Sequence, residues 1–165
     1  MLSMNRTYLL LGGNLEDRMQ SLKSASAYIS ERLGKIILVS SFYETAAWGK
    51  TDQPAFLNQV ILVETTQNAA STLEIILNIE QEMGRFRKEK YGPRIIDIDI
   101  LFFNDEIILS PKLVIPHPEI QNRRFALEPI AEIAGNFIHP LLKKSMEQLL
   151  EECKDPLPVK KLENL

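Results

Sequence analysis

Apolar periodicity changes along this chain in an order that few folds accommodate. TYLLL, residues 7–11, is a short apolar run ended by Gly12 and Gly13, the pattern of a buried strand entering a tight turn. Leu15, Met19, Leu22, Ser26, Ile29 and Leu33 then recur at spacings of three and four, which predicts an amphipathic helix with Asn14 as N-cap and Gly34 as its stop. KIILVSSFYE (35–44) and FLNQVILVE (56–64) are rich in β-branched and aromatic residues and read as two strands. Leu73, Ile76, Leu77 and Met83 mark a second helix, begun near Asn68 or Ser71 and stopped by Gly84, and Asp97 to Phe103 is the next strand. Strand, helix, strand, strand, helix, strand is the split βαβ pattern. The expectation is an α+β fold: a ferredoxin-like core with an antiparallel sheet and helices packed on it.

The remainder reads as additions to that core. NDE, residues 104–106, looks like a turn into a short strand Ile107–Leu109, forming a hairpin with the strand before it. Helices are expected around Phe125–Ala134 and Ser145–Glu152, and the tail from Asp155 to Leu165 is expected to be loosely attached. At 165 residues the chain is long enough for one domain and short for two. Two connections, 44–55 and 84–94, are long for so small a chain, which makes them candidate lids over a site.

Composition narrows the function classes. A net charge of −3 and a pI near 5.5 argue against a general nucleic-acid binder, so any anion site must be local. Cys153, the sole cysteine, cannot form an internal disulfide, which fits a reducing cytoplasmic compartment. No run of 18 apolar residues suggests a membrane span, and Tyr8–Leu11 is too short for a signal sequence.

The chemistry is concentrated in YGPRIIDIDILFF, residues 91–103. Aspartate is depleted in strands, yet Asp97 and Asp99 alternate with isoleucines. Both must share one face, roughly 6.5 to 7 Å apart along the strand, while Ile96, Ile98 and Ile100 take the other. Two carboxylates that close repel, and the remedy is a cation, either an arginine or Mg²⁺. An Asp pair salt-bridged to Arg85 or Arg94 would be purely structural. The preceding loop favours chemistry instead: Arg85, Arg87, Lys88, Lys90 and Arg94 stand within ten residues of one another in an acidic protein. Basic groups for phosphate oxygens beside carboxylates for metals are what a polyphosphate bound with Mg²⁺ requires.

Phe56 and Asn58 at i and i+2 would present a ring and an amide on one face, suited to a planar heterocycle, though a core ring beside a turn asparagine has the same pattern. Phe125, after Asn122 and Arg123, is a second ring on the same terms. Glu80 lies on the buried stripe of its helix and needs a partner, for which Arg85 or Arg87 is expected. His117, between prolines, is either a phosphate ligand or a fixed surface histidine; His139 has no supporting neighbours. Neither a GxGxxG nor a P-loop motif is present, so LGGN reads as a tight turn.

KYGPRIIDIDIL, residues 90–101, resembles the signature of the 6-hydroxymethyl-7,8-dihydropterin pyrophosphokinases of folate biosynthesis. The resemblance extends through LGGNL, SSFYET, DQPAFLNQV, IEQEMGRFR and VIPHPEIQNRRF, from about Thr7 to Phe137. It implies transfer of the pyrophosphoryl group of ATP to the pterin hydroxymethyl oxygen, releasing AMP. It further implies two Mg²⁺ ions on Asp97 and Asp99, and catalysis by these with Arg85 and Arg94. Ile100, His117, Arg123 and Lys112 would then contact the nucleotide, and Thr45, Phe56, Asn58 and Phe125 the pterin. Small-molecule substrates, no nucleic acid, no membrane and a monomer are the corresponding expectations. TAAWG at 45–49 replaces the family's usual Thr-Pro-Pro, which bears on how that loop closes. A nucleotide-binding domain without chemistry would keep the stacking rings but leave the aspartate pair unexplained. An RNA-binding module would need exposed strand aromatics and a basic face, and the acidic pI speaks against it.

Overall fold

A computed structural model of the chain describes residues 3–15, 17–45, 54–84 and 95–163. Its elements run β1 (Asn5–Gly13), α1 (Arg18–Arg32), β2 (Lys35–Val39), β3 (Tyr43–Thr45), β4 (Phe56–Thr65), α2 (Ala69–Glu82), β5 (Asp97–Phe103), β6 (Ile108–Leu109), β7 (Val114–Ile115), α3 (Arg124–Ala134), α4 (Met146–Glu152) and β8 (Val159–Lys161). The sheet order is β5-β1-β4-β3-β8, with β2 also paired to β4, and every pairing is antiparallel. Since β1 and β2 both oppose β4, they run parallel to each other with β4 between them. The same holds for β4 and β5 around β1. These two interleaved split βαβ units are the expected ferredoxin-like core.

Both faces of the sheet are covered, which explains why its central strands read as continuous apolar runs. Leu9, Leu11, Leu57 and Ile61 pack against Leu22, Ile29, Ile76 and Ile79 of α1 and α2. On the other side Leu10, Val60, Leu101 and Phe102 pack against Leu127 and Ile130 of α3 and Met146 and Leu149 of α4. Each fully buried Leu or Ile contributes roughly 1.5 to 3 kcal/mol relative to exposure. Gly34, between α1 and β2, is required by close approach: a Cβ there would lie 2.0 Å from the Glu64 carbonyl oxygen.

Four local expectations are corrected. Asp17, not Asn14, caps α1, its carboxylate accepting from the Gln20 N–H at 3.1 Å. Asn14 instead donates through Nδ2 to the Pro54 carbonyl. The strand expected over 35–44 is two strands, because Ser40 replaces the ladder between them: its N–H donates to Val60 O, and its Oγ accepts from Val60 N. Residues 107–109 do not pair with β5. Asn104, at φ 50°, turns the chain to close on Arg6 of β1, and Ser110 turns it back onto Leu113, so β6 pairs with β7. The segment expected as a loose tail is held as far as Leu162, through β8 on β3 and the buried Asp155.

Candidate active site at one end of the sheet

β5 is an edge strand, and an edge strand leaves alternate N–H groups without a ladder partner. Ile98, which stands between the two aspartates, donates its N–H to Glu80 Oε2 at 2.7 Å. Glu80 is only 4% exposed, so the carboxylate that looked anomalous on the buried stripe of α2 is a clamp on β5. Its expected partners Arg85 and Arg87 lie outside the described residues, as does Arg94.

Strand parity then places the aspartates. Ile96, Ile98 and Ile100 are buried against α1 and α2, which puts Asp97 and Asp99, both partly exposed, on the α3 side of the sheet. Leu101, next on that face, is covered by the second core, so the carboxylates mark where the cover ends. Ile100 is therefore on the face opposite to the pair. Lys112 sits exposed in the turn between β6 and β7, and among the described residues no hydrogen bond or ion pair joins it to the aspartates.

The register carries this face across the sheet. Asp97 pairs with Gly12, Gly12 with Asn58, and Asn58 with Tyr43. Gly12 is thus a strand residue, not part of a tight turn, and lacking a side chain it leaves room for the Asn58 amide on the rung between Asp97 and Asn58, which are two strand spacings or roughly 10 Å apart. A Cβ at Gly12 would lie 2.3 Å from Asn58 Nδ2, so any side chain there displaces the Asn58 amide. Asn58 is 4% exposed; its Nδ2 donates to the Leu11 carbonyl at 3.3 Å, while its buried Oδ1 has no hydrogen-bond partner among the described residues. An orphaned buried acceptor costs about 1 to 3 kcal/mol, which a ligand N–H would recover.

Phe56 precedes Asn58 on the same face, partly buried, and pairs with Thr45 of β3. The Thr45 hydroxyl donates to the Pro158 carbonyl at 3.0 Å, so toward a ligand it retains only acceptor capacity. Over this side of the sheet, the first turn of α3 carries the partly buried Phe125, whose ring centre lies 5.8 Å from the Arg123 guanidinium.

His117 is fixed to β5 by its N–H on the Leu101 carbonyl at 3.0 Å, and its Nδ1 accepts from the Glu119 N–H at 3.1 Å. That bond leaves Nε2 to carry the proton of the neutral ring. Burial first, and then the charge of Arg123, push the imidazole down to about 4 against the opposing pull of Glu119 and Asp97. His117 is therefore a neutral donor at pH 7. The unfolded chain takes up this proton near 6.5 and the folded chain only near 4, so stability is full above pH 6.5 and falls as pH drops toward 4. The loss approaches roughly 3 kcal/mol. Urea unfolding of the ligand-free protein between pH 7 and 4.5 should show this slope in the parent and a shallower one in His117→Gln; equal slopes contradict the assignment. His139, by contrast, is structural: it is buried, and its Nδ1 accepts from the Leu141 and Leu142 N–H groups.

The donor set suits a hard cation. Among the described residues no third Asp, Glu, His or Cys joins the pair to complete a protein-only metal site. Mg²⁺ is ordinarily held in that way, by one or two carboxylates with water and substrate phosphates completing the octahedron. Sequence reasoning expected Asp97 and Asp99 on one face, and β5 places them so. It missed Gly12, whose only signal was a strand run extending into the glycines, and the bond from the Ile98 N–H to Glu80.

Comparison with known proteins gives the family and the fold. The family model for 7,8-dihydro-6-hydroxymethylpterin-pyrophosphokinase (HPPK) matches residues 8–135. The 2-amino-4-hydroxy-6-hydroxymethyldihydropteridine pyrophosphokinase of Aquifex aeolicus is 39% identical over 149 residues, covering 90% of this chain and 92% of the relative. That of Bacillus subtilis is 42% identical over 130 residues, 78% of each chain. Among solved structures, Plasmodium falciparum HPPK-DHPS superposes with a TM-score of 0.75 at 22% identity; the match covers 91% of this chain and 44% of that longer one, and it shows the fold. The chain belongs to the 7,8-dihydro-6-hydroxymethylpterin-pyrophosphokinase family.

Proposed function

We propose that this chain transfers the pyrophosphoryl group of ATP to the hydroxymethyl oxygen of 6-hydroxymethyl-7,8-dihydropterin, releasing AMP, at the sheet end bounded by Asp97, Asn58 and Arg123. Membership of the family carries pyrophosphoryl transfer in folate biosynthesis with ATP as co-substrate. The residue roles and the two-metal, in-line course are our reading. The observation that supports it is the rung Asp97–Gly12–Asn58, which sets the Asp97 carboxylate and the buried, unpartnered amide oxygen of Asn58 on one face of the sheet.

Asn58 Oδ1 accepts an N–H of the pterin edge, and Phe56 and Phe125 offer faces for its ring. Arg123, with Arg85 and Arg94 of the basic loop, neutralises phosphate oxygens, while neutral His117 donates a hydrogen bond without adding charge. Asp97 and Asp99 would hold two Mg²⁺ ions, whose charge would polarise the transferring phosphoryl groups. The protein's task is then positioning: the pterin oxygen is held in line with the β-phosphorus, and no covalent enzyme intermediate is required. Thr45 borders the pterin wall, and the nucleotide contacts of Ile100 and Lys112 are expected only from the resemblance.

Gly12→Ala tests the rung. The added methyl displaces Asn58, so the pterin dissociation constant should rise about tenfold, with a stability loss of roughly 1 to 2 kcal/mol from the overpacked rung. Unchanged pterin affinity in a folded variant contradicts the role given to Asn58. For the reaction itself, the protein is incubated with ATP, Mg²⁺ and the dihydropterin alcohol, and the products are resolved by ³¹P NMR. AMP and a pterin diphosphate, formed only with all three present, are the expected result. ADP would mean ordinary phosphoryl transfer, and absence of turnover would leave a binding domain.

A further inference from the structure

After α4 the chain does not leave the molecule. Arg124, the first residue of α3, donates through Nη2 to the Cys153 carbonyl at 2.9 Å and through Nε to the Asp155 carbonyl at 3.3 Å. In return the Asp155 carboxylate accepts the backbone N–H of Arg124 at 3.1 Å and that of Leu157 at 3.0 Å. The residue at the N-cap position of α3, Arg123, makes no side-chain capping bond. A helix start leaves N–H groups without partners, and a carboxylate there is favoured by the helix dipole as well. Asp155 therefore caps α3 from 31 residues downstream.

The same segment next reaches β3. Pro158 O accepts the Thr45 hydroxyl, Val159 pairs with Thr45 and Lys161 with Tyr43, and the Leu162 N–H closes on Phe42 O at 2.8 Å. The far end of α3 is fixed to the same strand region, since Glu132 accepts from Ser41 N–H, Ser41 Oγ and Tyr43 OH. Apart from Thr45 these contacts lie outside the residues given to pterin and phosphate, and residues 153–162 lie past the stretch that the family model matches.

We propose that residues 153–162 are a strap that sets the separation of two walls of the substrate site, Thr45 on β3 and Arg123 with Phe125 at the start of α3, and that Asp155 is its positioning residue. The proposal rests on the reading that these walls receive pterin and phosphate. Asp155 touches neither substrate; it acts by fixing where the first turn of α3 begins.

The test compares the full-length parent with Asp155→Ala and Asp155→Asn, asparagine keeping one side-chain oxygen for the Arg124 N–H and giving up the second acceptor that serves Leu157. Two readouts are taken well below the melting temperature: KM and kcat for the pterin, and amide hydrogen exchange over residues 124–127. Asp155→Ala should raise the pterin KM about tenfold with kcat changed less than threefold, and should speed exchange at the start of α3 about tenfold. Asp155→Asn, with one acceptor left, should fall between the parent and the alanine variant in both. Unchanged KM and exchange in Asp155→Ala overturn the strap, and so does an equal fall in melting temperature for both variants with KM untouched. A parent that forms no AMP refutes the function instead, and the exchange comparison still decides the strap.

Discussion

Replacing Asp97 or Asp99 by alanine is expected to lower kcat/KM at least a thousandfold while leaving the melting temperature within a few degrees of the parent, or above it. Two carboxylates roughly 7 Å apart repel by about 0.6 to 2.4 kcal/mol over the range of effective dielectric between bulk water and a protein surface. Asp97 and Asp99 stand on the partly exposed face of β5, while Ile96, Ile98 and Ile100 bury the opposite face. Truncating one aspartate lessens the repulsion and removes no core packing, so the larger loss is expected in catalysis. Steady-state kinetics and thermal denaturation on the same preparations separate the two effects. Parent-like turnover in either variant would sink the metal assignment.

Glu80→Ala should act on both stability and activity. It strips the acceptor from the Ile98 N–H, a buried backbone donor on the edge strand, and leaves a cavity on the α2 stripe where Glu80 was 4% exposed. A lost charge-assisted bond to a buried group costs about 1.5 to 3 kcal/mol, and the cavity adds to it, so a loss of about 3 kcal/mol or more is expected. Because Ile98 separates the two aspartates, slack there spreads their carboxylates, and turnover should fall about a hundredfold. Glu80→Gln keeps an acceptor for the N–H and should recover most of both losses. Denaturant unfolding and turnover of the two variants check this; an alanine variant with full activity would show that Glu80 supports the fold alone.

The strand and helix order was legible because β1, β4 and β5 are buried on both faces and both major helices keep a 3.6-residue stripe, signals that local sequence carries by itself. What escaped depends on contacts remote in sequence. Ser40 splits a strand through Val60, twenty residues on, and Asp155 caps a helix that starts 31 residues before it. Asn14 and Asp17 are both good caps, and only the extension of β1 to Gly13 decides between them. In the site, alternation alone put Asp97 and Asp99 on one face. No sequence pattern shows that Asn58 Oδ1 is left without a partner, or that Gly12 lies between Asn58 and Asp97, because both follow from the register of three strands.

The most direct test of the central claim counts metal ions at the aspartate pair. Mn²⁺ is titrated by electron paramagnetic resonance into the protein holding a non-hydrolysable ATP analogue and the pterin, for the parent and for Asp97→Asn and Asp99→Asn. Two bound ions per chain in the parent and no more than one in each variant is the predicted result. Two ions retained in both variants would contradict it and place the metals on other groups.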